Sequence, residues 1–102
     1  MSEHSPAARA HTALEVRVTG RVQGVGFRYF AHEVARRLGV VGFVANARDG
    51  SVHAYAEGPR AALEEFLREM ERGPGGGHVR EVQSRWAPAT GQYTTFSIER
   101  TL

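Results

Sequence analysis

Between Leu14 and Leu38 the hydrophobic pattern changes its period, and it does so across three glycines. Leu14-Glu15-Val16-Arg17-Val18 alternates apolar and polar residues, as a half-buried strand does. Phe27, Phe30, Ala31, Val34, Ala35 and Leu38 then fall at i, i+3, i+4, i+7, i+8 and i+11, one apolar face of a helix that Gly39 would stop. Between them lies Gly20-Arg21-Val22-Gln23-Gly24-Val25-Gly26-Phe27-Arg28. A strand that passes through a tight glycine turn into an amphipathic helix commits the chain to layers, with the helix covering a sheet.

The remaining pattern says which layers. Val40 to Asn46 reads as a second strand, Asp49-Gly50 as a hairpin turn, and Ser51 to Glu57 as the returning strand. Gly58-Pro59 opens a second helix with Leu63, Phe66, Leu67 and Met70 as its buried stripe. Glu64 and Arg68 on that helix are spaced for an i, i+4 surface ion pair, worth roughly 0.3–0.5 kcal/mol. After the flexible connection Gly73 to Gly77, Val79 to Trp86 reads as a fourth strand and Thr94 to Glu99 as a short last one. The order β-α-β-β-α-β plus a short extra strand predicts an α+β, ferredoxin-like split β-α-β fold. Both helices would lie on one face of a mainly antiparallel sheet. Residues 1–12 carry no periodicity and read as a disordered N-terminal tail, leaving 13–102 as one domain.

Composition removes several chemistries. The 102 residues include no cysteine, which excludes disulfides, thiolate catalysis and cysteine-ligated metal. All 13 basic side chains are arginine, so Schiff-base chemistry and a Walker-type lysine are excluded too. No stretch approaches the roughly 20 apolar residues of a membrane span, and Met1 to Thr12 has no apolar signal region. A cytoplasmic protein is the expectation. The net charge of +2 is too small to argue for nucleic acid.

The glycine turn is where chemistry would sit. Helix N-termini present unpaired N–H groups and a partial positive charge, and so bind anions, phosphate above all. Glycines let the backbone curl close to such a ligand, and the Arg28 guanidinium offers a planar fork that matches phosphate oxygens. A right-handed crossover makes the first two strands parallel, with the third in the slot between them. Their C-terminal ends then lie at one edge, two strand spacings or on the order of 10 Å apart. That brings Asn46 toward the cradle. His32 and His53 have no metal-like spacing with any partner, so no metal site is expected.

At these two segments the chain resembles the acylphosphatase family. The family's turn, G-x-V-Q-G-V-x-F-R, is met by Gly20, Val22, Gln23, Gly24, Val25, Phe27 and Arg28. Its second signature, G-[aromatic]-x-x-N-x-x-x-G-x-V with a later glycine, is met by Gly42, Phe43, Asn46, Gly50, Val52 and Gly58. The likeness spans roughly residues 13–100; Thr19, where a His or Tyr is expected, is a modest departure. It implies hydrolysis of the carboxyl–phosphate bond of a small-molecule acyl phosphate, with inorganic phosphate as product and without metal or cofactor. It also implies that Arg28 binds phosphate and that Asn46 orients the attacking water. Backbone N–H groups of Gln23, Gly24, Val25, Gly26, Phe27 and Arg28 would complete the phosphate site. The expected protein is a monomer that acts without nucleic acid or membrane. RNA-recognition domains share this sheet architecture, but their aromatic strand motif is missing. A hydrogenase-maturation carbamoyltransferase carries the same module ahead of zinc-binding cysteines. This cysteine-free chain reads as the stand-alone enzyme.

Overall fold

The computed structural model describes residues 11–101. Five strands and two helices follow in the order β1 (His11–Arg21), α1 (Phe27–Leu38), β2 (Val41–Asn46), β3 (Val52–Pro59), α2 (Arg60–Arg72), β4 (His78–Pro88) and β5 (Phe96–Thr101). They form one sheet in the order β4-β1-β3-β2-β5. The pairs β1/β3, β1/β4 and β2/β3 are antiparallel and β2/β5 is parallel. β3 therefore does occupy the slot between β1 and β2, and the expected α+β, ferredoxin-like type holds.

The core lies between the sheet and its helices. Leu14, Val16 and Val18 of β1, Val44 of β2, and Val52, Ala54 and Ala56 of β3 face Phe27, Ala31, Val34 and Ala35 of α1 and Leu63, Phe66 and Met70 of α2. β5 adds Phe96, whose ring centroid lies 5.9 Å from that of Phe66. Two fully buried helix stripes at helical spacing explain why both helices take the same side. α1 ends as its sequence says: Gly39 adopts φ 74°, and its N–H points back to the carbonyls of Ala35 and Arg36.

Several sequence readings need correction. β1 starts at His11, so His11 and Thr12 belong to the sheet and not to a tail; residues 1–10 lie outside the described residues. The alternation that marks this strand begins only at Leu14, yet Thr12 and Ala13 are held from both sides by β3 and β4. Pro59, the last residue of β3, is the N-cap of α2, so the second helix does open at Gly58-Pro59 as expected. The Glu64–Arg68 pair does not form. Arg60 takes Glu64 at 3.3 Å and Arg68 takes Glu65 at 2.7 Å, since residues three and four apart are both neighbours on a helix.

The other sheet face carries one buried carboxylate. Glu57, 4% exposed, accepts from the Tyr55 hydroxyl, the Thr90 N–H at 2.9 Å, the Thr90 hydroxyl at 2.7 Å and the Gly91 N–H at 3.0 Å. It thereby ties the β4–β5 connection down over the sheet. Tyr93 of that connection packs against Phe43 and Tyr55, with centroids 6.1 and 5.3 Å away.

Candidate active site

The turn from β1 to α1 gets its shape from two glycines. Gly24 (φ 75°) and Gly26 (φ 79°) are left-handed, a region costly for any residue with a Cβ. Gly26 is the N-cap of α1, and no side chain caps the helix. The backbone ladder of α1 opens with the Phe30 N–H on the Gly26 carbonyl at 2.9 Å, and the N–H groups before it have no partner within the helix. The first turn also holds no acidic residue, although a helix N-terminus favours one. Its partial positive charge is thus left for an external anion.

A cleft of about 140 Å³ opens at this point, lined by Val22, Gly24, Gly26, Phe27, Arg28, Tyr29 and Asn46. The fold brings Asn46 there from β2, 18 positions along the chain from Arg28. Ala45 and Asn46 pair with Glu99 and Thr101 of β5, so the register shift here leaves Arg100 as the extra residue on β5, beside Asn46. The Arg28 guanidinium is anchored from β5: Nη1 donates to the Glu99 carbonyl at 2.6 Å and the Arg100 carbonyl at 3.3 Å. Glu99 pairs with Ala45, the residue before Asn46, so β5 carries Arg28 to the side of Asn46.

Of the expected phosphate-site residues, Gly24, Gly26, Phe27 and Arg28 line the cleft and Gln23 and Val25 do not. The Phe27 ring is buried in the core, edge-on to Phe30 at 5.8 Å, which leaves its backbone for the cleft. Val25 packs against the core. The Gln23 side chain turns to the β2–β3 hairpin, where Nε2 donates to the carbonyls of Ala47 (2.7 Å) and Ser51 (2.9 Å). Asp49 shapes that hairpin. Its carboxylate accepts from the Ser51 hydroxyl, Arg17 and the Ser51 N–H, which hold its pKa well below the usual range.

Sequence reasoning missed Tyr29 and the carbonyls of β5. Tyr29 was visible in principle, as an aromatic that falls off the apolar stripe of α1. The β5 carbonyls were not, because no side-chain pattern identifies them.

A larger basin, about 340 Å³, lies on the open sheet face among Glu15, Arg17, Phe43, His53, Tyr55 and Arg85. Its arginines are already paired, Arg17 with Asp49 at 2.5 Å and Arg85 with Glu15 at 2.9 Å. The uncapped N-terminus of α1 sits at the smaller cleft, so charge recognition points there. Among the described residues no group of three or more His, Asp or Glu side chains is placed to hold a metal ion. No helix among them is long and apolar enough to cross a membrane.

A glycine turn at an uncapped helix N-terminus, with an arginine and an asparagine lining the same cleft, makes a candidate anion site on an α+β domain. The comparisons with known proteins identify which one. The family model for acylphosphatase matches residues 14–98. The acylphosphatase of Salinibacter ruber is 45% identical over 87 residues, covering 85% of this chain and 92% of that protein. The crystal structure of the Bacillus subtilis acylphosphatase superposes with a TM-score of 0.83 at 35% identity, over 86% of this chain and 98% of that one. A Coxiella burnetii acylphosphatase structure gives 0.86 at 27% identity, over 93% and 99%. The chain belongs to the acylphosphatase family.

Proposed function

We propose that the cleft between the Gly24–Gly26 turn and Asn46 performs the family's reaction by in-line attack of water on phosphorus. As a member of this family the chain is a hydrolase that splits acyl phosphates into a carboxylate and inorganic phosphate. The observation that carries the assignment of the site is that one small cleft unites the helix N-terminus, Arg28 and Asn46.

Phosphoryl transfer asks for positioning and charge stabilisation more than covalent help. Backbone N–H groups of Gly24, Gly26, Phe27 and Arg28 and the Arg28 guanidinium hold the three phosphate oxygens, where charge spreads in the transition state. Each pre-aimed donor of this kind is worth ~10²–10³ in rate. The Asn46 carboxamide holds the water opposite the leaving group. The water oxygen bonds to phosphorus as the phosphorus–carboxylate bond breaks. The electron pair leaves with the carboxylate, and the water's proton passes to a phosphate oxygen. A carboxylate leaves well without an acid, so the scheme needs neither a catalytic histidine nor a bound metal. The same reading has the protein act as a cytoplasmic monomer, in keeping with its cysteine-free composition.

The test is benzoyl phosphate hydrolysis, followed by ultraviolet absorbance, for wild type, Arg28→Ala and Asn46→Ala, each with EDTA and with p-nitrophenyl phosphate as an ester control. The expected result is EDTA-insensitive turnover of the acyl phosphate alone, lost in both folded variants. A folded wild type without turnover would overturn the catalytic reading in favour of a phosphate-binding module.

A further inference from the structure

The cleft is small for a bulky acyl phosphate. At about 140 Å³ it falls well below the roughly 300–1,000 Å³ of sites that enclose a drug-sized ligand. A phosphate group seated against the helix N-terminus would therefore leave its acyl group at the mouth.

Tyr29 stands at that mouth. Among the described residues it is the one large hydrophobic side chain left exposed, at 69%, and it lines the same cleft as Arg28 and Asn46. A single exposed aromatic needs no explanation on its own. Its place is what matters here. The other residues off the apolar stripe of α1 are Arg28, His32, Glu33, Arg36 and Arg37, all polar or charged, so Tyr29 breaks the solvated pattern only beside the cleft. Helical side chains lean toward the N-terminus, so a residue in the first turn of α1 tilts over the anion-binding end.

We propose that Tyr29 is a specificity-determining residue that packs its ring against the acyl group and favours flat, apolar acyl phosphates over small ones. This rests on the assignment of the phosphate to the Gly24–Arg28 cradle. An aromatic ring suits the task because it offers a large, rigid contact area with few rotatable bonds.

The experiment compares benzoyl phosphate with acetyl phosphate for wild type, Tyr29→Phe and Tyr29→Ala, with inorganic phosphate as competitive inhibitor to report on the cradle. In Tyr29→Ala, kcat/KM for benzoyl phosphate should fall roughly 3- to 10-fold, chiefly through KM, the size of one aromatic contact. Acetyl phosphate turnover and phosphate inhibition should stay within about twofold, and Tyr29→Phe should behave as wild type. Equal losses on both substrates, no loss on either, weakened phosphate inhibition, or a Tyr29→Phe as impaired as Tyr29→Ala would each overturn the role given to the ring. A wild type that hydrolyses neither substrate would overturn the catalytic reading beneath it, an outcome distinct from equal selectivity in wild type and Tyr29→Ala.

Discussion

One amide nitrogen of Gln23 bridges the carbonyls of Ala47 and Ser51, at 2.7 and 2.9 Å, and so fastens the glycine turn to the hairpin that begins one residue after Asn46. The two halves of the candidate site come from different elements, and this bridge links them. Replacing the donor with a carboxylate in Gln23→Glu would turn an oxygen toward two carbonyl oxygens. On the proposed mechanism the turn would still hold phosphate, but Asn46 would shift. Displacement by about 1 Å can cost on the order of 10²-fold in rate. We expect Gln23→Glu to lose at least roughly tenfold in kcat for benzoyl phosphate while phosphate inhibition changes less than about threefold. Unchanged kcat would mean that the two halves keep their spacing without the bridge.

Arg28 should not tolerate lysine. Its guanidinium can keep the Glu99 carbonyl with one nitrogen and present the others to a phosphate, whereas an ammonium is a point charge without a planar fork. The expected loss in Arg28→Lys is ~10²-fold or more in kcat/KM, with the thermal midpoint little changed. Near wild-type turnover would reduce the role of Arg28 to bulk charge.

Two glycines with positive φ should respond differently to alanine. Gly26 (φ 79°) has open space where a Cβ would go, so Gly26→Ala costs backbone strain of about 1–2 kcal/mol without a clash. It should nevertheless lose more than roughly tenfold in activity, because Gly26 lines the cleft whose donors must stay aimed. Gly42 (φ 142°) lies against the Tyr55 carbonyl, where a Cβ would overlap backbone that cannot give way. Gly42→Ala should cost about 3 kcal/mol or more in a urea titration. Equal stability losses in the two variants would contradict this division.

What could be read from the chain follows from how local each signal is. The Gly20–Arg28 turn was legible because glycine, a helix start and an arginine are neighbours in sequence. Asn46 was legible only through topology, since β3 between β1 and β2 is what brings the ends of β1 and β2 to one edge. The place of β5 was beyond reach. Phe96 and Ile98 mark a strand, but nothing in six residues says that it runs parallel beside β2 and offers its Glu99 carbonyl to Arg28. The aim of the Gln23 amide was hidden for the same reason, because its acceptors lie 24 and 28 positions downstream. Arg68 takes Glu65 while Arg60, two turns back, takes Glu64, a choice that i, i+4 spacing alone does not make.

Glu57 predicts how stability depends on acid. Burial pushes its carboxyl up, but the hydrogen bonds from Tyr55, Thr90 and Gly91 together outweigh that effect and bring it down to about 2. For Tyr55, burial and then the Glu57 carboxylate push the phenol up to about 12, so the proton stays on the tyrosine. A carboxyl depressed in the folded state contributes stability above its unfolded value, about 4.3, and that stability is lost as pH falls toward the folded value. Glu57 should therefore weaken the fold between about pH 5 and pH 2 and have no influence on pH dependence near neutrality. A carboxamide in its place would present one oxygen and an NH₂ group to the same donors, leaving some unpaired. Glu57→Gln should thus cost about 1–3 kcal/mol at pH 7. Asp49, Glu33 and Glu69 are depressed as well, so the useful quantity is the difference between the two proteins. Urea midpoints at pH 7, 4 and 2.5 should converge as the medium becomes more acidic, with the wild type falling more steeply. A gap that stays constant across that range would show that the wild-type advantage does not come from the ionised carboxylate.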